Sequence, residues 1–136
     1  MRPVLLDTNA YVSFKKGEPA VIEIIQHAEI LAVSPVVIGE LLSGFELGSR
    51  TKKNRDEFQE FLQSSRVRVF NLTPDTANFY SQVYCSLRKK GKPIPTNDLW
   101  IAAQALENGC LLCSHDKHFK VIENLITGTS LTELMI

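Results

Sequence analysis

Nothing in this sequence is apolar for long enough to span a bilayer, and Met1-Arg2-Pro3 opens a run too short for the core of a signal peptide. The expectation is a cytoplasmic protein with no membrane partner. An excess of either charge is missing too: 15 lysines and arginines stand against 15 aspartates and glutamates, a formal net charge of zero. That argues against a general nucleic-acid coat, which needs a basic excess, and leaves only local patches. Cysteine is scarce, with three residues of which Cys110 and Cys113 form the only close pair. Zinc would need a second pair or neighbouring histidines, and a redox pair would sit at a helix start. Cys110 and Cys113 instead flank Leu111 and Leu112, so both are expected to be packing residues, with Cys85 as a lone core candidate. Repeats, low-complexity tracts and linker-like shifts in composition are absent as well, and residues 1–136 read as one domain.

What is present has a globular balance, 44% apolar and 22% charged, arranged as alternating strands and helices. Val4-Leu5-Leu6 is a short buried strand that stops abruptly at Asp7-Thr8-Asn9. Val21, Ile22, Ile24 and Ile25 give helical spacing over residues 19–28, and residues 30–33 form a second strand. Ser34-Pro35, a cap followed by proline in the first turn, opens a helix to about residue 48. A polar helix over 52–63 carries Phe58, Phe61 and Leu62 on one side, and residues 66–72 alternate as a third strand. Thr73-Pro74 repeats the cap-then-proline pattern and starts a long helix that Gly91 ends; Asn97 then reads as the cap of a helix closing at Gly109. Residues 110–113 make a fourth strand, 117–122 a short helix, and the tail an additional edge strand. With no tight hairpin between strands, this order predicts an α/β fold: a central parallel sheet of about four to five strands with helices on both faces. Such sheets bind ligands beyond the carboxyl ends of their strands.

The acids fall at that edge. Asp7 follows the first strand, and Asp116 follows the fourth after Ser114 and His115. Asp7 or Thr8 could equally cap a helix over residues 9–12. Asp98 stands in the first turn of its helix, where the dipole alone would favour it by about 0.3–1 kcal/mol. Glu40 is less ordinary, because residues 36–45 are apolar almost all round and imply a largely buried helix. No basic residue lies one turn away, so its partner must come from elsewhere: an arginine, or a metal ion.

VLLDTN, Ser34-Pro35 with Glu40 six residues after the serine, Asn97-Asp98-Leu99-Trp100-Ile101-Ala102-Ala103, and Ser114-His115-Asp116-Lys117-His118-Phe119 together resemble the PIN-domain family, with the closest likeness to its VapC-like toxin members. The likeness covers nearly the whole chain and keeps four acids in the family's order. It implies a PIN-like fold and a divalent-metal-dependent endoribonuclease, the toxin of a type II toxin–antitoxin pair, which cuts RNA by water attack on phosphorus. By that resemblance Asp7, Glu40, Asp98 and Asp116 hold magnesium or manganese, and Thr8 or Ser114 supports them by hydrogen bonding. Asn9 and Asn97 match positions beside the acids. It further implies a cognate small antitoxin and a homodimer. His115 stands at a position that varies in the family.

The donor chemistry agrees independently of the family. Clustered carboxylates stay ionised only when a cation joins them, and hard oxygen donors without cysteine suit Mg2+ or Mn2+ better than zinc. Phosphatases with an aspartate nucleophile after the first strand want a second acid two residues on, where this chain has Asn9. His115, Asp116 and His118 could form a transition-metal site but lack a further clustered ligand, which otherwise leaves His118 a surface residue. Lys15-Lys16, the run of Arg50, Lys52, Lys53 and Arg55, and Arg88-Lys89-Lys90 with Lys92 are either solvated faces or grips for phosphate. The rival from a different class is a catalytically silent PIN-like binding module whose acidic pocket holds a partner's arginine.

Overall fold

The computed structural model describes residues 2–136. Strand β1 (Val4–Leu6) runs straight into α1 (Thr8–Lys15), and α2 (Pro19–His27) leads to β2 (Leu31–Val33). Then come α3 (Pro35–Leu47), α4 (Thr51–Leu62) and β3 (Val67–Val69), followed by α5 (Pro74–Lys89), α6 (Thr96–Glu107), β4 (Leu111–Cys113) and β5 (Thr127–Gly128). All four strand pairings are parallel, in the order β3-β2-β1-β4-β5, so the edge strand expected of the tail is present. Among the described residues no helix is long and apolar enough to cross a membrane.

Local chemistry explains most boundaries. Ser34 Oγ accepts from Val36 N at 3.0 Å and starts α3, while Thr73 and Thr76 cap α5 reciprocally. Gly91 and Gly109, at φ +70° and +64°, end α5 and α6 in a conformation that side chains resist. Strands β1, β2 and β4 are buried throughout, as expected of a parallel sheet covered by helices. By the right-handed rule for parallel crossovers, the steps from β1 to β3 place α1–α4 over one face. The return step from β3 to β4 reverses direction and sends α5 and α6 over the other. Tyr11 packs edge-on against Phe58 and Phe61, with ring centroids 5.1 and 5.2 Å away, and locks α1 onto α4.

Three expectations need correction. The third strand is shorter than residues 66–72, because it lies at the sheet edge where only Val67 of its three residues is buried. Cys85 is exposed on α5 and belongs to no core, unlike Cys110 and Cys113, which are buried and free. Asn97 is not a cap: α6 begins one residue earlier behind Pro95, and no side chain caps it.

Candidate functional site

The sheet order reverses at β1, between β2 and β4, and the crevice beyond their carboxyl ends is where such sheets accept ligands. Leu6 is registered with Cys113, and Asp7 N donates to Cys113 O at 3.2 Å, so the residues that follow the two strands emerge side by side. Asp7 is 5% exposed and serves a double purpose there. It caps α1 by accepting from Ala10 N at 2.8 Å while also lining the crevice, so the cap and the strand-end position coexist.

Helix α3 brings in Glu40. Thr8 donates to Glu40 Oε1 at 2.5 Å and Asn97 Nδ2 to Oε2 at 3.3 Å, tying α1, α3 and α6 together at one carboxylate. The largely buried helix expected around Glu40 is not found, and of the two partners expected for it, an arginine or a metal ion, no arginine reaches it among the described residues. Among the ten residues from Val36 to Phe45 only Val37 and Leu41 are buried, Glu40 is half-buried, and a hydroxyl and an amide satisfy it. Asp98 enters from the first turn of α6, and Asp116 from the turn after β4. Ser114 Oγ accepts from Asp116 N at 2.9 Å and so shapes that turn. Asp7, Thr8, Asn9, Glu40, Asp98 and Asp116, with Ile101, line a cavity of about 180 Å³. Of the supporting residues, Asn9 is exposed and makes no side-chain hydrogen bond among the described residues.

The electrostatics are those of crowded acids. Burial raises the pKa of Asp7; the Ser114 hydroxyl and the Ala10 amide oppose that rise, and the charges of Asp116 and Asp98 add to it. Burial also raises Asp98, against a hydrogen bond from His118 and with added repulsion from Asp116 and Glu40. Sequence spacing groups His118 with His115 and Asp116 but offers no further ligand; it is Asp98, 20 residues earlier, that joins Asp116 against His118. Its Nδ1 lies 2.9 Å from Asp98 Oδ2 and 3.0 Å from Asp116 Oδ1, and its pKa is raised, chiefly by the Asp98 hydrogen bond. A histidine two residues after a strand-end aspartate was the available clue. His115 faces away, 3.3 Å from Ser13 Oγ and 3.4 Å from Glu18 Oε2.

The donor set fits a hard divalent cation: carboxylate oxygens from four chain segments, hydroxyls and an amide behind them, and two acids whose ionisation is disfavoured until positive charge arrives. A second feature lies at the far ends of α1 and α3, where Lys15, Lys16, Arg50 and Lys53 surround a cavity of about 350 Å³ floored by Tyr11 and Phe45. Lys15 is 3.4 Å from Glu57, and among the described residues Lys16, Arg50 and Lys53 have no acidic partner. Of the other basic run, Lys90 is bound to Glu123 at 2.8 Å.

The PIN domain family model matches residues 4–125. Ribonuclease VapC2 of Rickettsia felis is 31% identical over 127 residues, covering 90% of this chain and 93% of its own length. Ribonuclease VapC2 of Haemophilus influenzae (strain Rd) is 32% identical over 120 residues, covering 85% and 88%. Among solved structures, VapBC2 from Rickettsia felis bound to a DNA fragment from its promoter aligns with a TM-score of 0.82 at 26% identity, covering 92% of this chain and 96% of that one.

Proposed function

Because the chain belongs to the PIN-domain family, we propose that it is a divalent-metal-dependent endoribonuclease and the toxin of a toxin–antitoxin pair. The observation that carries the proposal is the convergence of Asp7, Glu40, Asp98 and Asp116 on one cavity at the sheet's switch point. These four acids hold Mg2+ or Mn2+, with Thr8, Asn9, Asn97 and Ser114 as supporting residues. When bound, the cation would supply Lewis acidity at a phosphodiester and neutralise negative charge on the oxygens of the phosphorane-like transition state. The chain's own contribution is placement. Thr8 and Asn97 hold both Glu40 oxygens, Ala10 N orients Asp7, and Ser114 Oγ fixes the turn bearing Asp116. An ionised carboxylate at this edge can accept a proton from attacking water, and the expected products carry 5′-phosphate and 3′-hydroxyl ends.

The substrate is RNA, whose backbone the basic cavity of Lys15, Lys16, Arg50 and Lys53 suits as a second point of attachment. A cognate small antitoxin is the proposed partner, in keeping with VapBC complexes among the solved structures, and homodimerisation and a cytoplasmic location complete the proposal. The second reading, a silent module, is favoured by one observation: an acidic pocket offers a planar arginine the same carboxylates it offers a metal. A cleavage assay separates the two. Purified protein should cut RNA in Mg2+ or Mn2+ and stop in EDTA; RNA left intact under all three conditions would favour the silent module.

Stability gives an orthogonal test. Asp7 and Asp98 have raised folded pKa values, so the folded state holds their protons more tightly than the unfolded chain. Their contribution is present below the unfolded value of 3.8 and is lost as pH rises through the raised folded value. Near pH 7 the metal-free site therefore weakens the fold. Asp98→Asn, which keeps an acceptor for His118, should leave the melting temperature in EDTA unchanged or higher. Saturating metal, at about a hundred times its Kd, should raise the parent by on the order of 10 °C and the variant by clearly less. Equal shifts in the two proteins would remove Asp98 from the ligand set.

A further inference from the structure

The cleft is less purely carboxylate than its four acids suggest. His118 Nδ1 meets Asp98 Oδ2 and Asp116 Oδ1 at nearly equal distances, 2.9 and 3.0 Å. One ring nitrogen carries at most one hydrogen, so it can direct a good hydrogen bond at one of these oxygens but not at both. One donor atom from each of Asp98, Asp116 and His118 lies within 4.8 Å of the other two. Two ligands at right angles around a cation, each bonded at about 2.1 Å, stand about 3.0 Å apart. Both contacts of His118 have that spacing.

The ring is held in place, although its side chain is 48% exposed. His118 N donates to Asp116 Oδ1 at 2.9 Å, and the next residue, Phe119, is fully buried, so the backbone on either side of the imidazole is pinned. In the metal-free protein the two acids attract the ring as a hydrogen-bond donor, and that attraction places Nδ1 where a cation held by the same acids would meet it.

We propose that His118 Nδ1, releasing to solvent the hydrogen it shares with the acids when the cation arrives, ligates the divalent cation together with Asp98 and Asp116, and that this nitrogen makes the centre prefer Mn2+ to Mg2+. The proposal rests on the metal-dependent reading above. Magnesium takes oxygen ligands almost exclusively and tolerates little departure from octahedral oxygen geometry, whereas imidazole suits transition metals. A histidine among carboxylates therefore costs magnesium affinity and preserves manganese affinity.

Electron spin-echo spectroscopy of the Mn2+-loaded protein reads the bond without any assay of activity. The parent should show the 14N modulation of a directly bound imidazole; His118→Asp, which restores an oxygen donor, should bind Mn2+ without it. His115→Gln should keep the modulation, because His115 points to Ser13 and Glu18. The ratio of magnesium to manganese dissociation constants, measured by titration, should fall about tenfold or more in His118→Asp. Mn2+ bound with no 14N modulation in the parent, or an unchanged ratio, would overturn the role of His118 while leaving the acid site standing. Failure of the parent to bind Mn2+ at millimolar concentration would overturn the metal-dependent reading as well.

Discussion

RNA cleavage should fall at least about a hundredfold when Asp7 is replaced by asparagine, since even residues that only support metal ligands commonly cost up to that factor. The fold should survive. The substituted side chain would still cap α1, because its amide oxygen can accept from Ala10 N as Asp7 Oδ1 does at 2.8 Å. What disappears is one of the charges that attract the cation, at a position only 5% exposed, where no water can replace it easily. Asp75→Asn is the matched control: Asp75 is an exposed acid in the first turn of α5, outside the cleft, and its loss should leave cleavage within about twofold of the parent. Single-turnover rates at saturating Mg2+ or Mn2+, with melting curves for each protein, make the comparison. An Asp7→Asn protein that cuts RNA as fast as the parent would refute the assigned mechanism.

Most of the scaffold was legible because it rests on local chemistry. Runs such as Val4-Leu5-Leu6 and Cys110-Leu111-Leu112-Cys113 had to be buried strands, and Ser34-Pro35 and Thr73-Pro74 announced two helices. The adjacency of β1 and β4 was harder. No spacing rule sets strand order, yet that adjacency puts Asp7 beside the turn carrying Asp116. Individual side chains were less legible still. Glu40 lies on a helix whose composition suggested burial all round, but composition does not say which face stays open, and its partners Thr8 and Asn97 lie 32 and 57 residues away. Asn97 looked like a cap because asparagine commonly is one; Pro95 let the helix start earlier and freed the amide to reach α3. His118 was grouped with Asp116 by spacing, but its other partner, Asp98, lies 20 residues away on α6, and no local rule brings the two together.

Expression of the protein by itself should arrest growth, and Glu40→Gln should lift the arrest, because the variant keeps the shape of Glu40 and an oxygen that can accept from Thr8 but loses the charge. An unrestrained ribonuclease would damage its own cell, so the toxin reading requires a partner that covers the cleft. The acids indicate what such a partner brings. An arginine offers a planar fork of donors to neighbouring carboxylates; set between Asp7 and Asp98 it would supply the positive charge that these two acids lack and fill the space where water must enter. Truncating one side of such a pair generally costs about 2 kcal/mol or more, or roughly thirtyfold in affinity. The partner, as the purified product of a neighbouring small gene, should therefore bind a protein carrying both Asp7→Asn and Asp98→Asn at least about thirtyfold more weakly than the parent. Calorimetric titration of both proteins in EDTA measures this without interference from metal. Equal affinity would mean that the acidic pocket is not the anchor, and inhibition would then have to work by covering RNA-binding surface, for which the cavity of Lys16, Arg50 and Lys53 is the first place to look.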